Sequence, residues 1–142
     1  MTLRRPAQAA LVLALACPVL PAAPAWAVPT ARAIVQPPLP VEDFPSQVAR
    51  ACDTWRALGW PGNPQPVDFR LPGPQYVRGS NPYGNRSGDL PSGGTYREYD
   101  VNPRPTPTTR RDAERLVRDA TTGDAWYTAD HYANFREISD GC

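Results

Sequence analysis

His131 is the single histidine of the chain, and it limits the acid–base chemistry that the protein could perform. It lies between Asp130 and Tyr132 in an aromatic segment. A lone histidine is often a structural surface residue, and that interpretation stays open at this point. A hydrolase triad is disfavoured because no serine lies in a nucleophile-elbow motif; the candidates are Ser80, Ser87, Ser92 and Ser139. One histidine and one carboxylate are better suited to cleaving a phosphodiester by paired acid and base catalysis.

Glu98 is the candidate carboxylate for this pair. It lies within Thr95–Val101, where β-branched and aromatic residues predict a strand. A charge inside a strand must face solvent or a cleft. Glu98 is therefore either a catalytic carboxylate or an ordinary exposed strand residue.

Two arginines of the sequence could bind a phosphate. Arg111 and Arg115 are four residues apart, so they share one face of a helix or of a strand. Their forked donors keep their charge near neutral pH and match phosphate oxygens. The alternative is a solvated helix face with pairs such as Arg111–Asp112 and Arg110–Glu114, and the spacing alone favours this alternative.

Composition excludes several classes of protein. Fifteen arginines and 14 carboxylates give a formal net charge of +1, which argues against a strongly basic nucleic-acid coat and against an acidic disordered tail. No run of 18 apolar residues predicts a permanent membrane span. A second histidine to complete a metal set is missing from the sequence, so we expect no metal and no cofactor.

The first 27 residues resemble an export signal. Arg4 and Arg5 supply the positive start, Ala9–Ala16 form a short apolar run, and Ala25-Trp26-Ala27 offers a cleavage site. We therefore expect a secreted protein, with residues 28–45 as a proline-rich leader or linker and residues 46–142 as the folded domain.

Export also decides the cysteine pairing that we predict. Removal of the signal removes Cys17 and leaves two cysteines, Cys52 and Cys142. Two thiols outside the reducing cytosol are expected to pair. A loop of about 90 residues closed in this way gains roughly 4 kcal/mol in the chain-entropy model.

The elements that must position these residues follow an α+β pattern. Apolar residues at helical spacing predict a helix over Ser46–Leu58, and Gly59 and Pro61 end it. Short strands are predicted around Val67–Leu71 and Tyr76–Arg78, before the strand that holds Glu98. Two more are predicted over Trp126–Thr128 and His131–Ile138, around a turn at Ala129-Asp130. Propensity alone favours a helix over Arg110–Asp119.

A series of motifs carries a resemblance to a known family. In chain order these are Tyr83-Gly84-Asn85-Arg86, Leu90-Pro91, Tyr96-Arg97-Glu98-Tyr99, Arg111 with Arg115-Leu116-Val117, and Thr128-Ala129-Asp130-His131-Tyr132 followed by Phe135, Ile138 and a terminal Cys142. The series resembles the secreted microbial guanyl-specific ribonucleases, most closely their Streptomyces branch and more distantly barnase. It covers roughly residues 73–142.

The resemblance implies an N-terminal helix packed on a small antiparallel sheet whose concave face cleaves single-stranded RNA. It implies that Glu98 is the general base and His131 the general acid. By the same resemblance, Arg111, Arg115 and Tyr132 bind the phosphate. It also implies that Arg111–Val117 is a strand rather than a helix. The base-binding loop of the family matches Tyr83, Asn85, Arg86 and Ser87.

Ser87 is a departure from the family pattern. Relatives carry a glutamate directly after Asn-Arg, and that carboxylate receives guanine N1–H and the amino group. A serine cannot make this bidentate contact, and Asp89 is the next carboxylate along the chain. We therefore predict a guanine or purine preference that is weaker than that of the relatives.

Two readings of function remain after the sequence. The first is a monomeric, metal-independent endoribonuclease, for which a cytoplasmic protein inhibitor is a candidate partner and the membrane is not. The second is a ribonuclease-like RNA- or protein-binding module with an altered base pocket and little turnover. The joint presence of Glu98, Arg111, Arg115 and His131 favours the enzyme, since binding alone needs no acid opposite a base.

Overall fold

The computed structural model describes residues 34–142, so the predicted export signal lies outside the described residues. The fold is α+β, as the sequence predicts. The elements in chain order are β1 (Ile34–Pro40), a 3-10 helix (Val41–Asp43), α1 (Ser46–Ala57), β2 (Val67–Leu71), β3 (Gln75–Gly79), β4 (Asn81–Tyr83), β5 (Tyr96–Asp100), β6 (Arg115–Asp119), β7 (Ala125–Thr128) and β8 (Asn134–Asp140). None of the helices within this range is long and apolar enough to cross a membrane.

The main sheet has six strands in the order β1-β8-β7-β6-β5-β4. Neighbouring strands are antiparallel except β1 and β8, which are parallel. The strands β2 and β3 form a separate antiparallel pair. The prediction of one small antiparallel sheet is therefore wrong: the principal sheet is large, one of its pairs is parallel, and a second sheet accompanies it.

The helix is also not the first element of the described chain, because strand β1 precedes it. This strand comes from the proline-rich segment that we expected to be a poorly packed leader. Proline favours the extended backbone found there, but Ile34 lies opposite Asn134 and Leu39 opposite Ile138 in the pairing with β8. The proline content of this segment predicted its extended backbone, but it did not predict that the segment pairs with β8.

The helix α1 packs on one face of the main sheet. Its buried residues Val48, Cys52 and Trp55 lie against Tyr99 and Leu116. The Trp55 indole N–H donates a 2.7 Å hydrogen bond to the backbone carbonyl of Asp100. The helix ends where predicted, since Gly59 adopts a positive φ of 74° just beyond it.

The predicted disulfide joins Cys52 of α1 to Cys142. It spans a sequence separation of 90 residues and connects the helix to a residue two positions after the end of the last strand. Because Cys52 is a fully buried residue of the helix and Cys142 packs against the same apolar cluster, the covalent link is part of the packed core.

The opposite face of the sheet carries a second apolar cluster and several charges. Tyr96, Val117, Trp126 and Phe135 form the cluster together with Leu90. Strand register places Glu98 opposite Val117 and Asp100 opposite Arg115 on this same face. The helix covers one side of the sheet, and the opposite side holds the charged residues.

The segment 110–119 forms a strand only from Arg115 onward. The helix favoured by propensity is absent, because β6 is hydrogen-bonded between β5 and β7, and this pairing overrides local preference. The strand expected from the family over Arg111–Val117 begins four residues later, since the β5 ladder ends at the Asp100–Arg115 pair. Arg111 consequently lies in the loop before β6.

Candidate active site

Glu98 occupies the centre of strand β5 on the charged face of the sheet. Its side chain is buried, with 9 % exposed. The Asn81 side-chain amide donates to Glu98 Oε1 at 2.5 Å, and Arg111 Nη1 donates to the same oxygen at 2.8 Å. No residue of the described chain donates a hydrogen bond to Oε2. The carboxylate is therefore held on one oxygen, which leaves the other to receive a proton.

Arg111 connects Glu98 to a second, fully buried carboxylate. Its Nε donates to Asp100 Oδ1 at 2.5 Å while Nη1 contacts Glu98. Its remaining nitrogen, Nη2, has no hydrogen-bond partner among residues 34–142. The guanidinium is thus fixed by two acids, and its Nη2 is a buried donor that has no partner among these residues.

Arg115 lies at the start of β6, where it is almost completely buried. Burial lowers the pKa of its guanidinium, and the nearby Arg111 charge acts in the same direction, while Asp100 opposes them. Its Nη1 is 3.6 Å from Asp100 Oδ1 and 3.3 Å from Asp112 Oδ1. The two guanidinium groups lie close together, and the carboxylates of Glu98, Asp100 and Asp112 already accompany their charge.

His131 lies in the turn between β7 and β8, next to these arginines. The sequence predicts a strand at this position, but β8 begins only at Asn134. His131 and Tyr132 both adopt a positive φ, 55° and 75°, which is costly for residues other than glycine. One cavity, here called the His131 cavity, is lined by Arg110, Arg111, Asp112, Ala113, Arg115 and His131.

Hydrogen bonds brace this strained turn from both sides. The Tyr132 amide donates to Thr128 Oγ1 at 3.0 Å, and the Asn134 amide donates to Asp130 Oδ1 at 2.9 Å. Burial of Asp130 opposes its ionisation, but hydrogen bonds from Asn134 and Thr128 outweigh it and keep the pKa of this carboxyl low. The His131 amide also donates to the Ala113 carbonyl at 3.1 Å, which ties the turn to the arginine loop.

A second pocket gathers the residues predicted to bind the base. It is lined by Pro82, Tyr83, Gly84, Asn85, Arg86, Ser87 and Tyr132, and is here called the tyrosine pocket. The rings of Tyr83 and Tyr132 are 5.0 Å apart, and the His131 ring is 4.6 Å from that of Tyr132. Tyr132, predicted to bind phosphate, therefore lies between the two cavities and lines the tyrosine pocket.

Within this pocket the side chains differ in their freedom to act. Burial raises the pKa of the Tyr83 hydroxyl, and a hydrogen bond with Ser87 partly opposes the change. The Asn85 side chain closes its own loop, since it donates to the Leu90 carbonyl at 2.9 Å and accepts from the Leu90 amide at 3.1 Å. Asn85 thus shapes the pocket, whereas Arg86 and Ser87 are exposed.

Sequence reasoning missed three residues that support this site. Asn81 contacts Glu98 from strand β4, Asp100 holds Arg111, and Arg104 lies near Asp100. Asp100 alone had a readable signal, because a residue two positions after Glu98 in a strand faces the same side. Asn81 and Arg104 are brought in by tertiary pairing. Among the residues described, no group of three histidine, cysteine or acidic side chains could hold a metal ion.

Comparison with known proteins identifies the family. A family model described as ribonuclease matches residues 28–139, which is most of the chain. Guanyl-specific ribonuclease Sa3 of Kitasatospora aureofaciens is 43 % identical over 60 residues, a stretch that covers 41 % of this chain and 41 % of that protein. The chain thus spans about two fifths of the length of this curated relative. The match confirms the resemblance seen in the motifs, and the chain belongs to the ribonuclease family.

Proposed function

We propose that the protein is a secreted endoribonuclease that cleaves single-stranded RNA by transphosphorylation. The observation that carries this proposal is Arg111, which binds Glu98 directly and lines the His131 cavity together with Arg115. Glu98 is not among the residues that line this cavity and is joined to it through its contact with Arg111, so that a carboxylate, a histidine and two guanidinium groups, which the reaction needs, are connected at one site. The similarity to guanyl-specific ribonuclease Sa3 supports the same class of substrate.

In the first step Glu98 removes the proton from the ribose 2′-OH, and the oxygen attacks the neighbouring phosphorus. The bond to the 5′-oxygen breaks, and His131 donates a proton to that oxygen as it leaves. Arg111 and Arg115 balance the charge on the equatorial phosphate oxygens. In the second step the roles reverse: His131 activates water, Glu98 returns its proton to the 2′-oxygen, and the 2′,3′-cyclic phosphate opens to a 3′-phosphate. Both steps are complete without a metal ion.

The base preference that we propose is guanine or purine, but less strict than a carboxylate would give. Stacking on the aromatic rings of the tyrosine pocket contributes ~1–3 kcal/mol per base and tolerates any base. A carboxylate that is left unpaired by the wrong base would discriminate far more strongly. Ser87 offers only a hydroxyl, and that hydroxyl already interacts with Tyr83.

The place of action that we propose is outside the cell. The disulfide between Cys52 and Cys142 supports this, because such bonds persist in oxidising compartments. A ribonuclease that reaches the cytoplasm of its producer would damage it, so a cytoplasmic protein inhibitor remains a candidate partner.

The test is digestion of RNA and of matched DNA by the purified chain, with and without EDTA. We expect RNA cleavage that is unchanged by EDTA, with 2′,3′-cyclic phosphate ends appearing before 3′-phosphates. DNA must remain intact because it lacks the attacking 2′-OH. Loss of activity in EDTA, or equal cleavage of DNA, would reject the mechanism. RNA binding without cleavage would instead support the binding-module alternative.

A further inference from the structure

Arg104 is a buried arginine outside the His131 cavity that connects several parts of the molecule. Its side chain is 6 % exposed. It pairs with Asp68 of strand β2, and its Nη1 donates to the carbonyls of Pro107 and Thr109 at 2.5 and 3.0 Å. Its Nε lies 3.7 Å from Asp100 Oδ2, close enough for charge attraction although too far for a hydrogen bond. Arg104 thus balances two acids and holds two backbone carbonyls.

The backbone of Arg104 also attaches its loop to the second sheet. Its amide donates to the Tyr76 carbonyl at 2.9 Å, and the Tyr76 amide donates back to the Arg104 carbonyl at 2.8 Å. The carbonyls that the side chain holds are three and five residues further along the same loop, which then reaches Arg111. The position of this loop is therefore determined at several points just before the arginine that contacts Glu98.

The carboxylate of Asp100 lies between Arg104 and Arg111 and contacts both. Its Oδ1 accepts from Arg111 Nε, while its Oδ2 faces Arg104 and accepts from the Arg78 amide at 2.8 Å. Arg115 Nη1 also lies 3.6 Å from Oδ1, so three cations compete for the charge of this buried carboxylate. Removal of Arg104 would leave Asp100 to attract Arg111 more strongly, and it would leave two carbonyls of the loop unpaired.

We propose that Arg104 is a positioning residue for phosphate binding: by balancing Asp100 and fixing the loop, it keeps Arg111 available to the ligand in the His131 cavity. The inference rests on the proposed function, because it assumes that this cavity takes a phosphate. A substitution at Arg104 strengthens the existing attraction of Asp100 for Arg111 and loosens its loop, and both effects weaken phosphate binding.

Arg78 provides a matched control. It also pairs with Asp68, to which its Nε donates at 3.0 Å and its Nη2 at 2.7 Å. Asp68 is the acid that its side chain contacts, whereas the side chain of Arg104 lies beside both Asp68 and Asp100. Only its backbone amide reaches Asp100, and a side-chain substitution keeps that amide. Arg78→Gln and Arg104→Gln each remove one positive charge and one ion pair with Asp68, so they differ in the link to Asp100 and to the loop.

The experiment measures the affinity of the full chain for inorganic phosphate, by NMR titration that follows the Arg111 Nε–H and the His131 amide. We expect Arg104→Gln to weaken phosphate binding roughly three- to tenfold and to shift the Arg111 Nε–H signal of the free protein, while Arg78→Gln stays within about twofold. If Arg104→Gln does not fold, Arg104→Lys replaces it. The ammonium of a lysine cannot reach Asp68 and both carbonyls together, so the affinity of the Arg104→Lys variant for phosphate must also fall.

Several outcomes overturn the inference: equal losses in the two glutamine variants, no loss in a folded Arg104 variant, or a native chain that binds no phosphate. The proposed function fails separately, when the native chain binds phosphate but does not cleave RNA. Because the titration needs no turnover, the comparison between Arg104 and Arg78 stays decisive in that case.

Discussion

Glu98 and His131 come from different elements, a central strand and a turn, and each has its own support. Glu98→Ala and His131→Ala should therefore each remove one proton-transfer group, while Arg111 keeps its contact with Asp100 in both variants. We expect the rate of RNA cleavage to fall by roughly two to four decades in each variant. Initial rates with a fluorogenic oligoribonucleotide measure the effect.

The matched control for these two variants is Glu42→Gln, which changes an exposed carboxylate of the 3-10 helix. Its activity should equal that of the native chain. Circular dichroism must show that all three variants are folded. A His131 variant with near-native activity would exclude this residue as the general acid.

Ser87 is the residue at which base choice can be tested directly. Ser87→Glu places a carboxylate in the tyrosine pocket, where it can pair with guanine N1–H and N2–H, and we expect the preference for guanine to increase. Initial rates on the dinucleotides GpN, ApN, CpN and UpN give the ratio for each variant. A native chain that is already strictly guanine-specific would contradict this prediction, and Asp89→Asn would then show whether Asp89 supplies the carboxylate.

At the scale of elements, Gly79 at the end of β3 determines how closely the second sheet packs on the helix. A Cβ atom built there would lie 2.6 Å from Trp55 Cη2 and 2.7 Å from Tyr99 Cδ1. Because these rings are buried in the core, Gly79→Ala should lower the free energy of unfolding by about 1–3 kcal/mol. Urea denaturation measures it, with Gly62→Ala as the control, since nothing lies within 4 Å of a Cβ at Gly62.

The turn after β6 depends on one buried carboxylate, Asp119. Its Oδ1 accepts from the Thr121 amide at 2.8 Å and from the Thr95 amide at 3.3 Å. The Thr121 contact outweighs the opposing effect of burial, and the pKa of Asp119 lies below its ordinary value. A carboxyl with a lower pKa in the folded state stabilises the fold above its unfolded pKa, about 4.

This contribution must disappear as the pH falls from about 4 through the folded-state pKa of Asp119. We expect the free energy of unfolding to decrease over that range, and to decrease less steeply in Asp119→Asn. Thermal unfolding at a series of pH values measures both slopes. Asp53→Asn is the control, since Asp53 is an exposed helix residue, and an identical slope for Asp119→Asn and the native chain would contradict the prediction.

At the scale of the whole molecule, local pattern predicted the helix, most strands and the cysteine pair. Apolar spacing gave the helix from Ser46 to within one residue of its end. The failures have one physical origin, which is pairing between distant segments. Strand β1 exists because β8 lies beside it, and the segment from Arg115 is a strand because β5 and β7 enclose it. Such contacts leave no local periodicity to detect.

In the site, too, local motifs predicted some residues, whereas others are brought in by pairing between distant segments. The motif series predicted that Arg111, Arg115 and His131 would meet, and they line one cavity. Asn81, which contacts Glu98, and Asp100, which contacts Arg111, carry no motif and enter through strand register. The catalytic roles of Glu98 and His131 remain predictions that the experiments above test.

Both edges of the six-stranded sheet contain proline, and this has a consequence for behaviour at high concentration. Strand β1 holds Pro37, Pro38 and Pro40, and strand β4 at the other edge holds Pro82. Proline has no amide hydrogen to donate, so neither edge offers a continuous row of donors to a neighbouring sheet. Val35 on β1 is 45 % exposed, and without the prolines this apolar side chain would favour association of that edge with another chain.

The native chain should therefore sediment as a monomer even when concentrated. Replacement of both Pro37 and Pro38 by threonine restores two donors to the β1 edge and should produce dimers or larger aggregates under the same conditions. Analytical ultracentrifugation across a concentration series measures the difference, with Pro64→Thr in the loop before β2 as the control. A double variant that remains monomeric would contradict the prediction, because it would show that the missing amide hydrogens of the prolines are not what prevents association. The prolines that made this segment look like a linker would thus serve to keep copies of the chain apart.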